Sequence, residues 1–165
     1  MLRIQHGNYN ENSRRVHTPP SQQELLILSA PEAEILFANE AYYTAFASGD
    51  VDAMDAIWAQ STPVTCIHPG GPVLEGRDTV LESWVEILIS GQTEGFACHD
   101  AKAHVVGDLA WVTCLEVLGD GALAATNIFV RENGAWKITH HQACPTSARP
   151  QDTDDDARTP PKRLH

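Results

Sequence analysis

The chain has 165 residues, of which 42% are hydrophobic and 20% are charged, and its formal net charge at pH 7 is −11. This composition predicts one globular domain and excludes wholesale disorder, and the acidic charge disfavours nucleic acid because a phosphate backbone would be repelled. No apolar run approaches the ~20 residues that a membrane span requires, so a membrane partner is not expected either.

The cysteines are widely spaced and form no CxxC pair, which is typical of buried thiols in a reducing compartment. No charged start followed by an apolar stretch marks a signal peptide. We therefore expect a soluble, cytoplasmic protein with these four free thiols: Cys66, Cys98, Cys114 and Cys144.

Composition also divides the chain. Residues 1–28 form a polar N-terminal extension that cannot order itself alone, although residues 25–28 could dock on the domain. Residues 146–165 alternate Pro, Asp, Arg and Thr and are predicted to be a disordered tail. The domain itself should span residues 29–145.

The first predicted helix begins at a capping box formed by Ser29 and Glu32 and ends at Gly49, a residue suited to the left-handed cap position. Tyr42 lies on its apolar face. Asp50 can cap a second helix, and Asp78 a third. The predicted helices are residues 31–48, 51–59 and 79–89.

A short β-rich run at residues 63–68 ends in a Pro-Gly-Gly-Pro loop, and after Gly95 the hydrophobic period changes to two. Helices followed by an antiparallel meander predict an α+β fold, with three helices on the concave face of a curved, cone-shaped sheet. The predicted late strands are residues 96–106, 109–118, 122–131 and 135–143.

Four motifs carry a family resemblance: VTCIHPG at 64–70, LEGRD at 74–78, AATNIF at 124–129 and GAWKITHH at 134–141. Over about residues 30–145 the chain resembles the SnoaL-like branch of the nuclear transport factor 2-like (NTF2-like) superfamily. That superfamily contains isomerases, dehydratases, cyclases and hydrolases, and also non-enzymatic binding and assembly domains. The resemblance therefore implies the fold more firmly than the activity.

The ketosteroid isomerases of that superfamily place three polar groups in their cavity, and each has a counterpart here. The catalytic tyrosine corresponds to Tyr42, and the general-base aspartate before a proline corresponds to His68. The oxyanion-binding acid corresponds to Asn127, two residues before Phe129. The tyrosine is kept, but the base is a histidine and the acid an amide.

These residue types suit proton abstraction next to a carbonyl. Neutral His68 can accept a proton near pH 7, and Tyr42 and Asn127 can both donate hydrogen bonds to a developing enolate. We expect a cofactor-independent lyase or isomerase acting on a small apolar molecule with one carbonyl or hydroxyl. The alternative is a non-catalytic ligand-binding or assembly domain of the same fold.

The last hairpin decides which of His140 and His141 faces the cavity. A three-residue turn with a bulge would place Asn127 opposite Thr139 and bring His141 to the cavity face, whereas a two-residue Asn-Gly turn would place Asn127 opposite His140. We favour the first, because it places Trp136 and Ile138 in an outer apolar layer, and we expect His141 in the site.

The predicted cavity wall completes the site, and no cofactor or metal is expected in it. A metal held by His68, Glu116 and His141 is a minor alternative, because the histidines lack tight ligand spacing. The expected substrate-binding residues are Trp58, Trp84, Val112, Glu116 and Phe129.

The opposite sheet face predicts self-association. An exposed apolar sheet face favours association with a second copy. We therefore expect a homodimer that covers Thr126, Ile128, Val130 and Trp136.

Overall fold

The computed structural model describes residues 30–91 and 95–150. It confirms the predicted α+β class and the order of the elements. A short second strand, Val73–Glu75, was not anticipated from the sequence. The helices are α1 Ala30–Ser48, α2 Val51–Ile57 and α3 Arg77–Ile89, and the strands are β1 Thr65–Ile67, β2 Val73–Glu75, β3 Ala97–Val106, β4 Leu109–Leu118, β5 Gly121–Glu132 and β6 Ala135–Pro145.

Helix α1 buries a stripe at the helical period, including Ile35, Asn39 and Tyr42. It ends at Gly49, whose φ of 66° is the left-handed conformation that glycine adopts without strain. The predicted capping residue Ser29 lies outside the described residues, as do residues 1–28 and most of the predicted tail. Within the described ranges, no helix is long and apolar enough to cross a membrane.

The second helix has the predicted cap, and the third does not. Asp50 accepts a hydrogen bond from the backbone N–H of Ala53 at 2.9 Å. The prediction that Asp78 caps α3 is wrong, because α3 begins at Arg77, two residues earlier than predicted, with Gly76 at the cap position and no side-chain cap. Gly76 turns the chain at a φ of 87°, and Asp78 lies in the first turn, where a carboxylate favours the helix dipole.

The six strands form one curved sheet in the order β2-β1-β6-β5-β4-β3. All neighbours are antiparallel except β1 and β6, which run parallel and pair Cys66 with His141. Helix α1 packs on β3 and β4, so the buried positions of these strands define the concave face. The pairing with β6 places the end of β1, and therefore His68, next to His141.

The β5–β6 hairpin has neither of the registers considered from the sequence. The turn has two residues, Asn133 and Gly134, both with positive φ, so the preferred three-residue turn is wrong. One extra residue, Thr139, then bulges from β6 between the Phe129–Ile138 and Ile128–His140 pairs. Because of this bulge, His141 rather than His140 lies opposite Asn127.

This register also corrects the predicted outer layer. Ile138 is fully buried and pairs with the buried Phe129, so it belongs to the core. Trp136 donates a hydrogen bond from Nε1 to Glu34 of α1 at 3.3 Å, and so packs on the helix side of the sheet. The convex face keeps Thr126, Ile128 and Val130 of the predicted set, because their neighbours Asn127 and Phe129 point into the core.

A carboxylate fixes the loop between α2 and β1. Glu132, at the end of β5, accepts backbone N–H bonds from Gln60 at 2.9 Å, Ser61 at 3.1 Å and Thr62 at 2.7 Å. These bonds lower the pKa of Glu132 to about 2. The hydrogen bonds to Glu132 therefore fix the path of the chain that leads to β1 and His68.

Replacement of Glu132 by alanine is expected to lower the free energy of unfolding by about 1–2 kcal/mol, because three backbone donors lose a charged acceptor. The lowered pKa means that this contribution is present above about pH 4.5 and is lost as the pH falls toward 2. Urea denaturation at several pH values checks this. The control Glu75→Ala, at an exposed position of β2, should change the stability by less than about 0.5 kcal/mol.

Candidate functional site

A cavity of about 160 Å³ opens between α1, α3 and the concave face of the sheet. Aromatic and aliphatic side chains form most of its wall, and five residues supply side-chain groups with acid–base capacity. Apart from the backbone, those groups are two imidazoles, one carboxyl and the tyrosine hydroxyls. The lining residues are Tyr42, Tyr43, Phe46, His68, Pro69, Trp84, Ile87, Phe96, Glu116, Leu123 and His141.

The structure brings most of the predicted polar residues together here. Tyr42, His68, Glu116 and His141 line the cavity, as does Trp84. The other predicted wall residues are buried in the core but do not line this cavity: Trp58, Val112 and Phe129. Asn127 is also fully buried and does not line it, because it lies behind His141.

Hydrogen bonds fix the tautomer of His141. Nδ1 of His141 lies 2.6 Å from Oδ1 of Asn127, and Nδ2 of Asn127 donates elsewhere, so His141 donates and Asn127 accepts. Nε2 of His141 therefore carries the lone pair. Burial, with the nearby imidazoles of His68 and His140, lowers the pKa of His141 to about 3. The ring is neutral at pH 7 and offers the site an acceptor.

The half-buried His68 also has an assignable tautomer. The hydroxyl of Ser83 donates to the carbonyl oxygen of Val80 at 2.7 Å, so it accepts the proton on Nε2 of His68 at 2.9 Å. Within the described part of the chain, the partner of His68 Nδ1 is the Cys66 thiol at 3.9 Å, and this long contact leaves the lone pair of Nδ1 available. Burial lowers the pKa of His68, which keeps the ring neutral and able to accept a proton.

Glu116 is the buried carboxyl of the site. It is 4% exposed, and its Oε1 accepts a hydrogen bond from the Tyr43 hydroxyl at 2.8 Å. Burial raises the pKa of Glu116 to about 7, although the bond from Tyr43 acts in the opposite direction. Both the acid and its conjugate base are therefore populated near neutral pH.

The Tyr42 hydroxyl is free to bind a ligand. It makes no hydrogen bond to any residue in the described ranges. Burial, together with the charge of Glu116, raises the pKa of Tyr42 well above its ordinary value, so the phenol keeps its proton. Its ring packs edge-on against Trp84, with centroids 5.7 Å apart, which holds the hydroxyl in place.

A directed chain of hydrogen bonds joins His141 to Glu116 behind the cavity wall. His141 donates to Asn127, Asn127 donates to the Tyr43 oxygen at 3.2 Å, and Tyr43 donates to Glu116. Asn39 accepts the second amide proton of Asn127 at 2.8 Å. Because every donor points toward Glu116, the chain connects the one buried carboxyl of the cavity to one of its two imidazoles.

Sequence reasoning missed three residues of this arrangement: Asn39, Tyr43 and Ser83. Asn39 and Tyr43 are four residues apart, so the helical period places them on one face, and that spacing was an available signal. Asn127 was predicted to contact the ligand directly, whereas it orients His141. Ser83 offers no comparable signal, because its partner His68 comes from a distant loop.

The metal alternative receives no support from the arrangement of ligands. Within residues 30–91 and 95–150, no cluster of three or more His, Cys, Asp or Glu side chains has the geometry to hold a metal ion. All four cysteines are free thiols.

A curved six-stranded sheet that encloses a cavity with three helices defines the NTF2-like class of α+β folds. Within that class, the chain belongs to the SnoaL-like domain family, whose sequence model matches residues 35–147.

Three relatives illustrate the range of this fold. A candidate dehydratase of the NTF2-like family from Streptomyces avermitilis is 34% identical, with a TM-score of 0.64, over 72% of this chain and 97% of that one. A candidate calcium/calmodulin-dependent protein kinase type II association domain from Thiobacillus denitrificans is 30% identical, with a TM-score of 0.55, over 67% of this chain and 93% of that one.

The third relative is the F-box protein SKIP8 of Arabidopsis thaliana, 31% identical over 111 residues. The match covers 66% of this chain and 48% of the relative, so the chain spans about half of that protein's length.

The raised pKa of Glu116 predicts a pH-dependent stability. The folded state holds the proton up to about pH 7, whereas the unfolded chain releases it near pH 4.5, so stability is lost as the pH rises between these values. The variant Glu116→Gln keeps the acceptor for Tyr43 and cannot ionise. Its free energy of unfolding, relative to the wild type, should rise by about 3 kcal/mol from about pH 4 to pH 8.

Chemical denaturation of both proteins across this range measures that difference. The histidines titrate in both proteins, so their contributions cancel. A difference that is constant over the whole range would contradict a buried, ionising Glu116.

Proposed function

We propose that the cavity binds a small, largely apolar molecule with one carbonyl or hydroxyl and catalyses proton abstraction next to the carbonyl. The observation that carries this proposal is the convergence of a free imidazole nitrogen and a free phenol on one apolar cavity. Nδ1 of His68 is the base, and the Tyr42 hydroxyl is the donor to the carbonyl oxygen as it becomes an enolate.

His68 suits the role of base better than His141. Rate enhancement by a general base is greatest when its pKa lies near the working pH. The pKa of His141 is lowered to about 3, and its Nε2 is better suited to accept a hydrogen bond from a substrate hydroxyl. Asn127 contributes by orienting His141 rather than by touching the ligand.

The size of the cavity limits the substrate. An engineered protein cavity of about 150 Å³ holds benzene, and this cavity has about 160 Å³. A six-membered ring or a short branched chain, with its polar atoms toward Tyr42 and His68, fits that volume.

The second candidate function is non-catalytic ligand binding or assembly. It is favoured by the similarity to a candidate association domain, at 30% identity, and to part of an F-box protein. In that case the cavity groups only orient a ligand. The two functions differ in one measurable way, which is whether His68 changes turnover or only affinity.

We further propose that the chain forms a homodimer through the convex sheet face. Ile128 pairs with Trp111 and His140 on this face, and Val130 pairs with Leu109, which is 44% exposed. At the next strand, Val106 is 63% exposed. An apolar sheet surface of this kind favours a two-fold contact with a second copy.

We also propose a cytoplasmic location, because the cysteines are free thiols. Cys66 and Cys114 are buried, and burial raises the pKa of the Cys66 thiol to about 12. A reducing compartment keeps such thiols unpaired.

Proton abstraction is tested with cyclohexanone in D2O, by following deuterium incorporation at the α-carbons by NMR. The wild type should exchange these protons above the rate in buffer. His68→Ala should lower kcat/KM by about 100-fold or more, because the base is lost, while the dissociation constant changes less than about threefold. Tyr42→Phe should lower kcat/KM by about 100-fold through loss of the oxyanion donor.

The matched control is His99→Ala, an exposed histidine on β3, which should leave the exchange rate unchanged. Ligand binding without exchange in the wild type would support the non-catalytic alternative. Unchanged exchange in His68→Ala would show that another group is the base.

The dimer is tested by sedimentation velocity at micromolar concentration, where the wild type should sediment as a dimer. Ile128→Asp should weaken association by at least about tenfold, because it places a charge in the apolar contact. The control is Phe37→Asp on α1, which changes a side chain that is 75% exposed on a different surface. A stable wild-type monomer would contradict the proposed interface.

A further inference from the structure

We propose that Glu116 is the proton donor to a leaving hydroxyl group, so that the cavity dehydrates a neutral β-hydroxy ketone or aldehyde. This inference rests on the proposed abstraction by His68 and adds a second catalytic residue to it. It selects elimination of water over isomerisation.

The placement of Glu116 supports this role. Its side chain lies on the cavity wall in the middle of β4, and Tyr43 holds one carboxyl oxygen. The other oxygen, Oε2, makes no hydrogen bond to any residue in the described ranges. One oxygen therefore fixes the orientation, and the other can face a bound molecule.

The chemistry of elimination needs such a group. Hydroxide is a poor leaving group unless it is protonated as the C–O bond breaks, and a carboxylic acid can supply that proton. Burial keeps Glu116 protonated at a pH where an exposed glutamate is ionised. An isomerase that moves one proton needs only one base, so a second proton-carrying group on the wall is more consistent with dehydration.

The reaction balances with the residues present. His68 Nδ1 takes the proton from the carbon next to the carbonyl, and the C–H electrons form an enolate that Tyr42 stabilises. The enolate then forms the C=C bond as the β C–O bond breaks, and Glu116 gives its proton to the departing oxygen. Water and an enone leave. The proton on His68 returns to Glu116 through solvent, so no oxidant or cofactor is consumed.

The charge of the wall defines the substrate class. Among the described residues, none that lines the cavity is a Lys or Arg, and the two histidines are held neutral by burial. A carboxylate or phosphate would enter without a positive partner and would meet Glu116, which raises the cost of its desolvation. The substrate is therefore a neutral molecule, and His141 Nε2 can accept its hydroxyl proton in a hydrogen bond.

The test compares two probes on the full chain. Deuterium exchange of cyclohexanone reports abstraction alone, and conversion of 3-hydroxycyclohexanone to cyclohexenone, followed by enone absorbance, reports elimination. The wild type should catalyse both. Glu116→Gln should lose about 100-fold or more in elimination, and at least about tenfold more than it loses in exchange, because exchange needs no proton donor to a leaving group.

The exchange rate also shows that the variant is folded. Should Glu116→Gln fail to fold, Tyr43→Phe, which frees the carboxyl from its orienting bond, should show the same preferential loss of elimination. The control His99→Ala should keep both activities.

The outcomes separate the two proposals. Wild-type exchange without elimination overturns the role of Glu116 and leaves the proposed function standing, as does elimination by Glu116→Gln at the wild-type rate. Equal loss of both activities in a folded Glu116→Gln assigns Glu116 to the abstraction step and overturns its role as leaving-group donor. A wild type that catalyses neither reaction overturns the proposed function and this inference together.

Discussion

The hydroxyl of Tyr43 is the point on which the buried polar groups of this protein depend. It accepts a hydrogen bond from Asn127 and donates one to Glu116, inside a core of aromatic and aliphatic side chains. An unpaired amide or carboxyl at this depth would cost more than the hydrogen bond contributes. Helix α1 and strands β4, β5 and β6 must therefore meet in one arrangement, and the orientation of His141 and Glu116 follows from it.

Much of the fold could be predicted because hydrophobic period and turn residues are local. The change from helical to alternating period after Gly95 located the meander, and Gly49 and Asp50 marked the junction of the first two helices. The hairpin register could not be predicted, because the bulge at Thr139 depends on how β6 pairs with β1 as well as with β5. His141 was predicted on the cavity face, where the structure has it, but the prediction assumed a three-residue turn that the structure does not contain.

Part of the candidate site could also be predicted from local sequence patterns. Tyr42 and His68 stand at positions that helix period and a strand-ending proline define, and both line the cavity. Asn127 was predicted to contact the ligand, because the sequence does not show that His141 lies between Asn127 and the cavity. Its partner Asn39 lies 88 positions away in the chain, so only the folded arrangement reveals that the amide serves the imidazole.

The bulge at Thr139 also has a consequence for how such a site can diverge. His140 and His141 occupy opposite faces of one strand, and a single unpaired residue decides which imidazole the cavity receives. A homologue of the same length whose β6 paired without this bulge would place His140, and not His141, opposite Asn127. Chemistry could thus be gained or lost by a change in strand register alone, without replacement of either histidine.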